Sequence, residues 1–161
     1  MIWASNEDID TQTSTVILSI PAACHLGITD PDQTKTLDVD VPLEVAFEAG
    51  YAEFDSAKPT LTVSANKSWK LSAKSSGFAV NGTYKKATED LQLKDTSSSG
   101  NVKNGFNNYR ALLETDQEIA SNTGGVKKES HPLQYKILLD YAKDIPGTYT
   151  ATVTYTLATQ P

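Results

Sequence analysis

Between Gly147 and Leu157 the chain alternates without a break. Tyr149, Ala151, Val153, Tyr155 and Leu157 take one side, and Thr148, Thr150, Thr152, Thr154 and Thr156 take the other. Successive side chains of a strand point to opposite faces. A helix would scatter the same apolar residues around its circumference. The segment therefore predicts a long antiparallel strand with one face in a core and a threonine ladder outside. Pro146-Gly147 ahead of it is a turn signal.

The same period recurs along the chain. Leu133, Tyr135, Ile137 and Leu139 alternate with Gln134, Lys136 and Leu138, and a loop around Tyr141–Pro146 leads on to the last strand, so a terminal hairpin is predicted. Leu61, Val63 and Ala65, the turn Asn66-Lys67-Ser68, then Trp69, Leu71 and Ala73 predict a second hairpin, with Trp69 on the core side. Leu37, Val39 and Val41 predict a strand that Pro42 breaks before Leu43, Val45 and Phe47 resume the alternation. At the front, Val16, Leu18 and Ile20 alternate up to Pro21, and Cys24, Leu26 and Ile28 continue with the same period.

Helical signals are poor. Tyr109–Ala120 has no capping box and no sustained apolar stripe, so Asn108–Leu113 and Glu118–Ala120 are read as short strands. Thr83–Gly105 is polar and charged and reads as a long surface excursion around one strand, Leu91–Leu93. Many short amphipathic strands and almost no helix predict an all-β fold. The expectation is an antiparallel β-sandwich, Ig-like or pilin-like, over residues 13–161, preceded by an extension over residues 1–12.

Composition narrows the function. The 161 residues, 39% of them hydrophobic, suffice for one core without metal or disulfide. A net charge of -6 argues against phosphate neutralisation, so nucleic acid is not an expected partner. No apolar run has the length of a membrane-spanning helix. One Cys and two His leave few groups for nucleophilic or metal chemistry, and neither a cofactor nor a metal site is expected. Cys24-His25 are adjacent, and strand neighbours point apart. Cys24 is therefore expected in the core beside an outward His25. His131, before Pro132, is expected to begin a strand.

Asp30, Asp32, Asp38 and Asp40 cluster in sequence but lack the glycine and terminal glutamate of a calcium loop, so a solvated acidic face is expected. Asn66-Lys67-Ser68 and Asn81-Gly82-Thr83 match the N-glycosylation pattern, as a Ser/Thr-rich chain does by chance. The residue usage, rich in Thr, Ser and Asn, fits an exported protein.

Trp69-Lys70-Leu71, following Leu61-Thr62-Val63-Ser64-Ala65-Asn66, and the ending Pro146-Gly147-Thr148-Tyr149 with its alternating threonines resemble exported bacterial β-sandwich surface proteins of the fimbria-like or spore-coat-like kind. The resemblance covers mainly residues 60–75 and 105–158. It implies a secreted, structural, non-enzymatic protein that assembles with itself as a filament subunit. No sortase-type signal follows Leu157, which disfavours covalent anchoring through this terminus.

The residues themselves offer a mechanism. Ile2 and Trp3 tip an acidic N-terminal arm, and Val16, Leu18 and Ile20 form a strand-like stretch behind it. An extended segment of this kind can add a strand to a neighbour's sheet. Ile2, Trp3, Val16, Leu18 and Ile20 are therefore the candidate subunit contacts. The competing reading makes Thr13–Ile20 the first strand of its own sandwich. A non-catalytic module that binds carbohydrate or a cell surface through exposed Tyr84 or Tyr109 is the alternative function.

Overall fold

The computed structural model describes residues 12–29, 43–54, 59–79, 83–146 and 149–161. These form nine strands, one short helix and a 3-10 turn. The strands are β1 (Cys24–Ile28), β2 (Tyr51–Glu53), β3 (Thr60–Ala65), β4 (Trp69–Ser75), β5 (Leu91–Asp95), β6 (Arg110–Ala111), β7 (Gln117–Asn122), β8 (Val126–Leu138) and β9 (Val153–Thr159). Helix α1 (Leu43–Ala49) precedes β2, and the 3-10 turn (Thr88–Asp90) precedes β5.

Every pairing is antiparallel, and the strands fall into two sheets. The larger has six strands in the order β1-β3-β8-β5-β6, with β2 also on β8; the smaller is β7-β4-β9. Their apolar faces enclose one core, in which Leu61, Val63, Trp69, Leu71, Ala73, Leu93, Leu112 and Ile119 have no exposed surface. The all-β, sandwich-like architecture is thus the predicted one. Along β3 and β5 inward residues are buried and the others half-buried, the two-residue period of the sequence.

The connections differ from expectation. β3 and β4 pair in different sheets, and so do β8 and β9. Neither predicted hairpin exists. The short β3–β4 connection is an arch that carries the chain from one sheet to the other. The alternation is the same in both arrangements, because either way one face of each strand is buried. Only the partner of the backbone hydrogen bonds differs.

Three further readings are corrected. Leu43–Ala49 is helical, not a strand. Three alternating apolar residues do not separate the two periods, and Leu, Ala and Glu favour a helix. Gly50 ends it at φ +79°, with its amide donating to the Phe47 carbonyl at 3.1 Å. Phe47 stacks on Tyr141 at 4.6 Å. Residues 83–105 are not a surface excursion, for β5 lies inside the larger sheet and Lys86, Leu93 and Asp95 are buried. The strand predicted at Leu91–Leu93 forms the first part of β5. The strand read at Asn108–Leu113 shrinks to β6, whereas Glu118–Ala120 lies within β7 as expected.

β8 runs through Pro132 rather than starting beside it. On one side of that residue it pairs with β3, and on the other with β5 and β2. Pro132 has no N–H, and its carbonyl accepts the Thr96 amide at 2.8 Å. The strand predicted at Leu37–Val41 and the aspartates from Asp30 to Asp40 lie outside the described residues, as does Asn81.

Candidate functional site

Residues 13–20 form no strand pairing with the described residues. Val16 is 87% exposed, Ile17 89%, Leu18 78% and Ile20 71%. Large apolar side chains seldom stand in water along one continuous stretch unless something covers them. Ile2 and Trp3, the other two candidate contacts, lie outside the described residues.

The arm has a defined root. Asn66, in the arch between β3 and β4, donates from Nδ2 to the Pro21 carbonyl at 2.8 Å and accepts the Ala23 amide on Oδ1 at 2.8 Å. Its own amide donates to the Ala23 carbonyl at 3.2 Å. The side chain read as a glycosylation acceptor thus has both amide atoms in use. Gly125 presses against the same arch, where a Cβ would stand 2.8 Å from the Ala65 carbonyl oxygen. Beyond this root β1 begins.

β1 ends one sheet and β9 ends the other, and the two meet where the Cys24 Sγ lies 4.0 Å from the Leu157 carbonyl. The core is unevenly closed at this seam. Under the central strand β4, Trp69, Leu71 and Ala73 are fully covered. On β9, the inward Val153, Tyr155 and Leu157 are only half-buried, as are Leu26, Tyr135 and Ile137 across from them. Among the described strands β9 pairs with β4 alone, and its other edge faces β1 across the seam without a backbone ladder. The Tyr135 and Tyr155 hydroxyls share a hydrogen bond across the seam. Burial, then the neighbouring Tyr135, push the Tyr155 phenol well above its ordinary range.

The remaining chemistry-bearing residues sit elsewhere. Cys24 is exposed, as is His25. The expectation that Cys24 is buried fails because β1 is an edge strand. His131 is fully buried, with Nδ1 2.6 Å from Asp95 Oδ2 and Nε2 3.0 Å from Glu129 Oε1, the second contact off the line of a hydrogen bond. Ser99 and Asn101 donate to the same Glu129 carboxylate. The carboxylates face different ring nitrogens, and among the described residues no three such side chains converge as metal ligands.

A second buried cluster joins two loops. Lys86 Nζ lies 2.8 Å from both carboxylate oxygens of Asp144 and 2.9 Å from Asp90 Oδ2. Tyr84 Oη donates to Asp144 Oδ1 at 2.8 Å, and the Asp140 amide donates to Oδ2 at 2.9 Å. Burial alone would raise the Asp144 carboxyl, but the hydrogen bonds from Lys86, Asp140 and Tyr84 outweigh it and hold it below the usual carboxylate range. The same Asp144 bond, with burial, pushes Tyr84 up to about 12.

On the outer face of the larger sheet, Lys136 Nζ stands 4.5 Å from the Tyr51 ring and 5.0 Å from that of Tyr109. Lys94 stands 5.7 Å from Tyr109. Sequence reasoning missed the roles of Asn66, Lys86 and the Asp95–His131 pair. These partners are 36 to 58 residues apart in sequence, so no local spacing announces them.

No family model and no curated protein matches this chain. Among solved structures it is similar to a chaperone–usher pilus, at 11% identity over 98% of this chain and 99% of that one, with a TM-score of 0.48. It is also similar to the P pilus rod subunit PapA, at 13% identity over 84% of this chain and 99% of that one, with a TM-score of 0.46. Likeness at this level concerns general outline and establishes neither shared function nor shared assembly. Among the described residues no helix is long and apolar enough to cross a membrane.

Proposed function

We propose that this chain is a structural, non-catalytic surface protein that builds a fibre by strand addition. Residues 13–20 of one copy lie along the unladdered edge of β9 in the next. The observation that carries this reading is the run of exposed apolar side chains at Val16, Leu18 and Ile20. Their two-residue spacing matches that of the half-buried Val153, Tyr155 and Leu157. Eight extended residues span about 26 Å and the seven of β9 about 23 Å, so the lengths agree. Burying each of the three side chains contributes about 1.5–3 kcal/mol, and the strand's backbone bonds add to this. Donor arm and acceptor edge are different surfaces, so the contact is heterologous and need not close. Export to the cell surface and self-association belong to the same proposal, as do Ile2 and Trp3 as further contacts.

Electron microscopy and sedimentation of the full chain, beside a variant lacking residues 1–20, test it. Filaments or ladders of oligomers from the full chain and monomers from the variant are expected. Folded monomers from both at high concentration overturn it.

The Tyr51, Tyr109, Lys94 and Lys136 ladder favours a second reading, a sheet face that binds an acidic sugar. Glycan-array binding lost in Tyr109→Ala would support it, and no binding to any glycan would count against it. Tyr84 suits this role less, because its hydroxyl is held by Asp144.

A further inference from the structure

We propose that Lys86 and Asp144 condense into an intramolecular amide that locks the loop before β9 to the loop before β5. Lys86 is 1% exposed, and Asp144 side-chain exposure is 4%. A lysine is rarely buried to this degree, because its ammonium loses hydration that only close partners replace. Here the amine is wedged against one carboxylate, 2.8 Å from each of its oxygens.

The surrounding groups fit the reaction. In the resting ion pair, Lys86 passes a proton to Asp144, leaving a neutral amine beside a carboxylic acid. A turn of the carboxyl plane about its Cβ–Cγ bond presents the carbon to Nζ, and the C–N bond forms. Asp90, 2.9 Å from Nζ and with its side chain 27% exposed, accepts the second amine proton. The Tyr84 hydroxyl donates to one carboxylate oxygen and the Asp140 amide to the other, so the oxygen left on the tetrahedral carbon keeps a donor whichever one it is. Asp90 returns its proton to the departing hydroxyl, which leaves as water when the C–O bond breaks. Ammonium plus carboxylate gives amide plus water, with no oxidant, metal or cofactor. A recess of about 280 Å³ lined by Tyr84, Asp90, Asp140 and Asp144 opens beside the pair and gives the water a way out. Holding the reactants in contact replaces the encounter that makes such a condensation slow in solution.

The bond would tie residue 144, in the loop that follows β8, to residue 86, in the loop that precedes β5, and so fasten the loops of two strands that pair in the larger sheet. It is independent of strand addition, since a monomer can carry it.

Intact-mass spectrometry of the natively purified chain decides. The expected mass is one water below that of the sequence, with digestion yielding a branched peptide joining Lys86 to Asp144 and no trypsin cleavage at Lys86. Lys86→Arg and Asp144→Ala should return to the full mass. Asp90→Asn retains the Lys86–Asp144 contact and should slow the bond's appearance at least tenfold. A wild-type chain at full mass after prolonged incubation, with cleavage at Lys86, overturns the proposal. A bond that forms at the wild-type rate in Asp90→Asn overturns the assignment of Asp90. Neither outcome bears on filament formation, which is scored separately.

Discussion

Asn66 grips Pro21: its Nδ2 donates to the Pro21 carbonyl at 2.8 Å, across 45 positions of sequence. With the Ala23 amide donating to Oδ1, the contact fixes the place where the arm leaves the body. Asn66→Ala removes both side-chain bonds and is expected to lower stability by about 1–2 kcal/mol in urea denaturation. If the arm donates a strand, the same variant also polymerises more slowly, because its root no longer points one way. Asn66→Asp keeps the acceptor and should fall between the two.

Replacing Val16, Leu18 and Ile20 together with Ser is expected to leave monomer stability within about 0.5 kcal/mol of wild type, since exposed residues contribute little to their own fold. Sedimentation should shift from oligomer to monomer. A marked drop in melting temperature instead would mean that the arm packs on its own body.

Trp69 anchors the centre of the smaller sheet and has no exposed surface. Trp69→Ala is expected to cost about 3–5 kcal/mol by thermal or chemical denaturation. A much smaller loss would mean that the core is looser there than its burial indicates.

His131 separates two carboxylates inside the larger sheet. His131→Ala leaves Asp95 buried beside it without that partner, and a loss of about 3–5 kcal/mol is expected. Among the described residues, the Asp95 carboxylate then keeps its bond from the Ser97 amide. A double-mutant cycle with Asp95→Asn should give a large coupling term, and additive losses would show that the two do not stabilise each other.

In the chain before the Lys86–Asp144 amide forms, stability should fall at both ends of the pH scale. Asp144 is held below its ordinary value, so its contribution is complete above about pH 4 and disappears as pH falls through the lower folded value. Tyr84 is raised from 10.0 to about 12, so its contribution is complete below pH 10 and lost as pH rises towards 12. Denaturation midpoints across pH, together with phenolate absorbance, measure both. Asp144→Ala should remove the acid-side loss and bring Tyr84 back towards its ordinary value. Formation of the Lys86–Asp144 amide would abolish the acid-side effect as well.

The two-residue period of residues 61–65, 69–73, 133–138 and 153–157 determined that these segments are strands and which side of each faces inward, while the strand predicted from Gly147 begins only at Val153. That much is local, because burial of one face imposes the same spacing whatever the partner strand. It was not legible that β3 and β4, or β8 and β9, part into different sheets, since an arch and a hairpin bury the same side chains. Nor did spacing distinguish the turn of α1 from a strand, with three apolar residues to judge by. Tertiary structure alone decided that Asn66 holds Pro21, that His131 lies between Asp95 and Glu129, and that Lys86 meets Asp144. Each is a polar group whose burial is tolerable only beside a particular distant partner, and distance along the chain carries no trace of that choice.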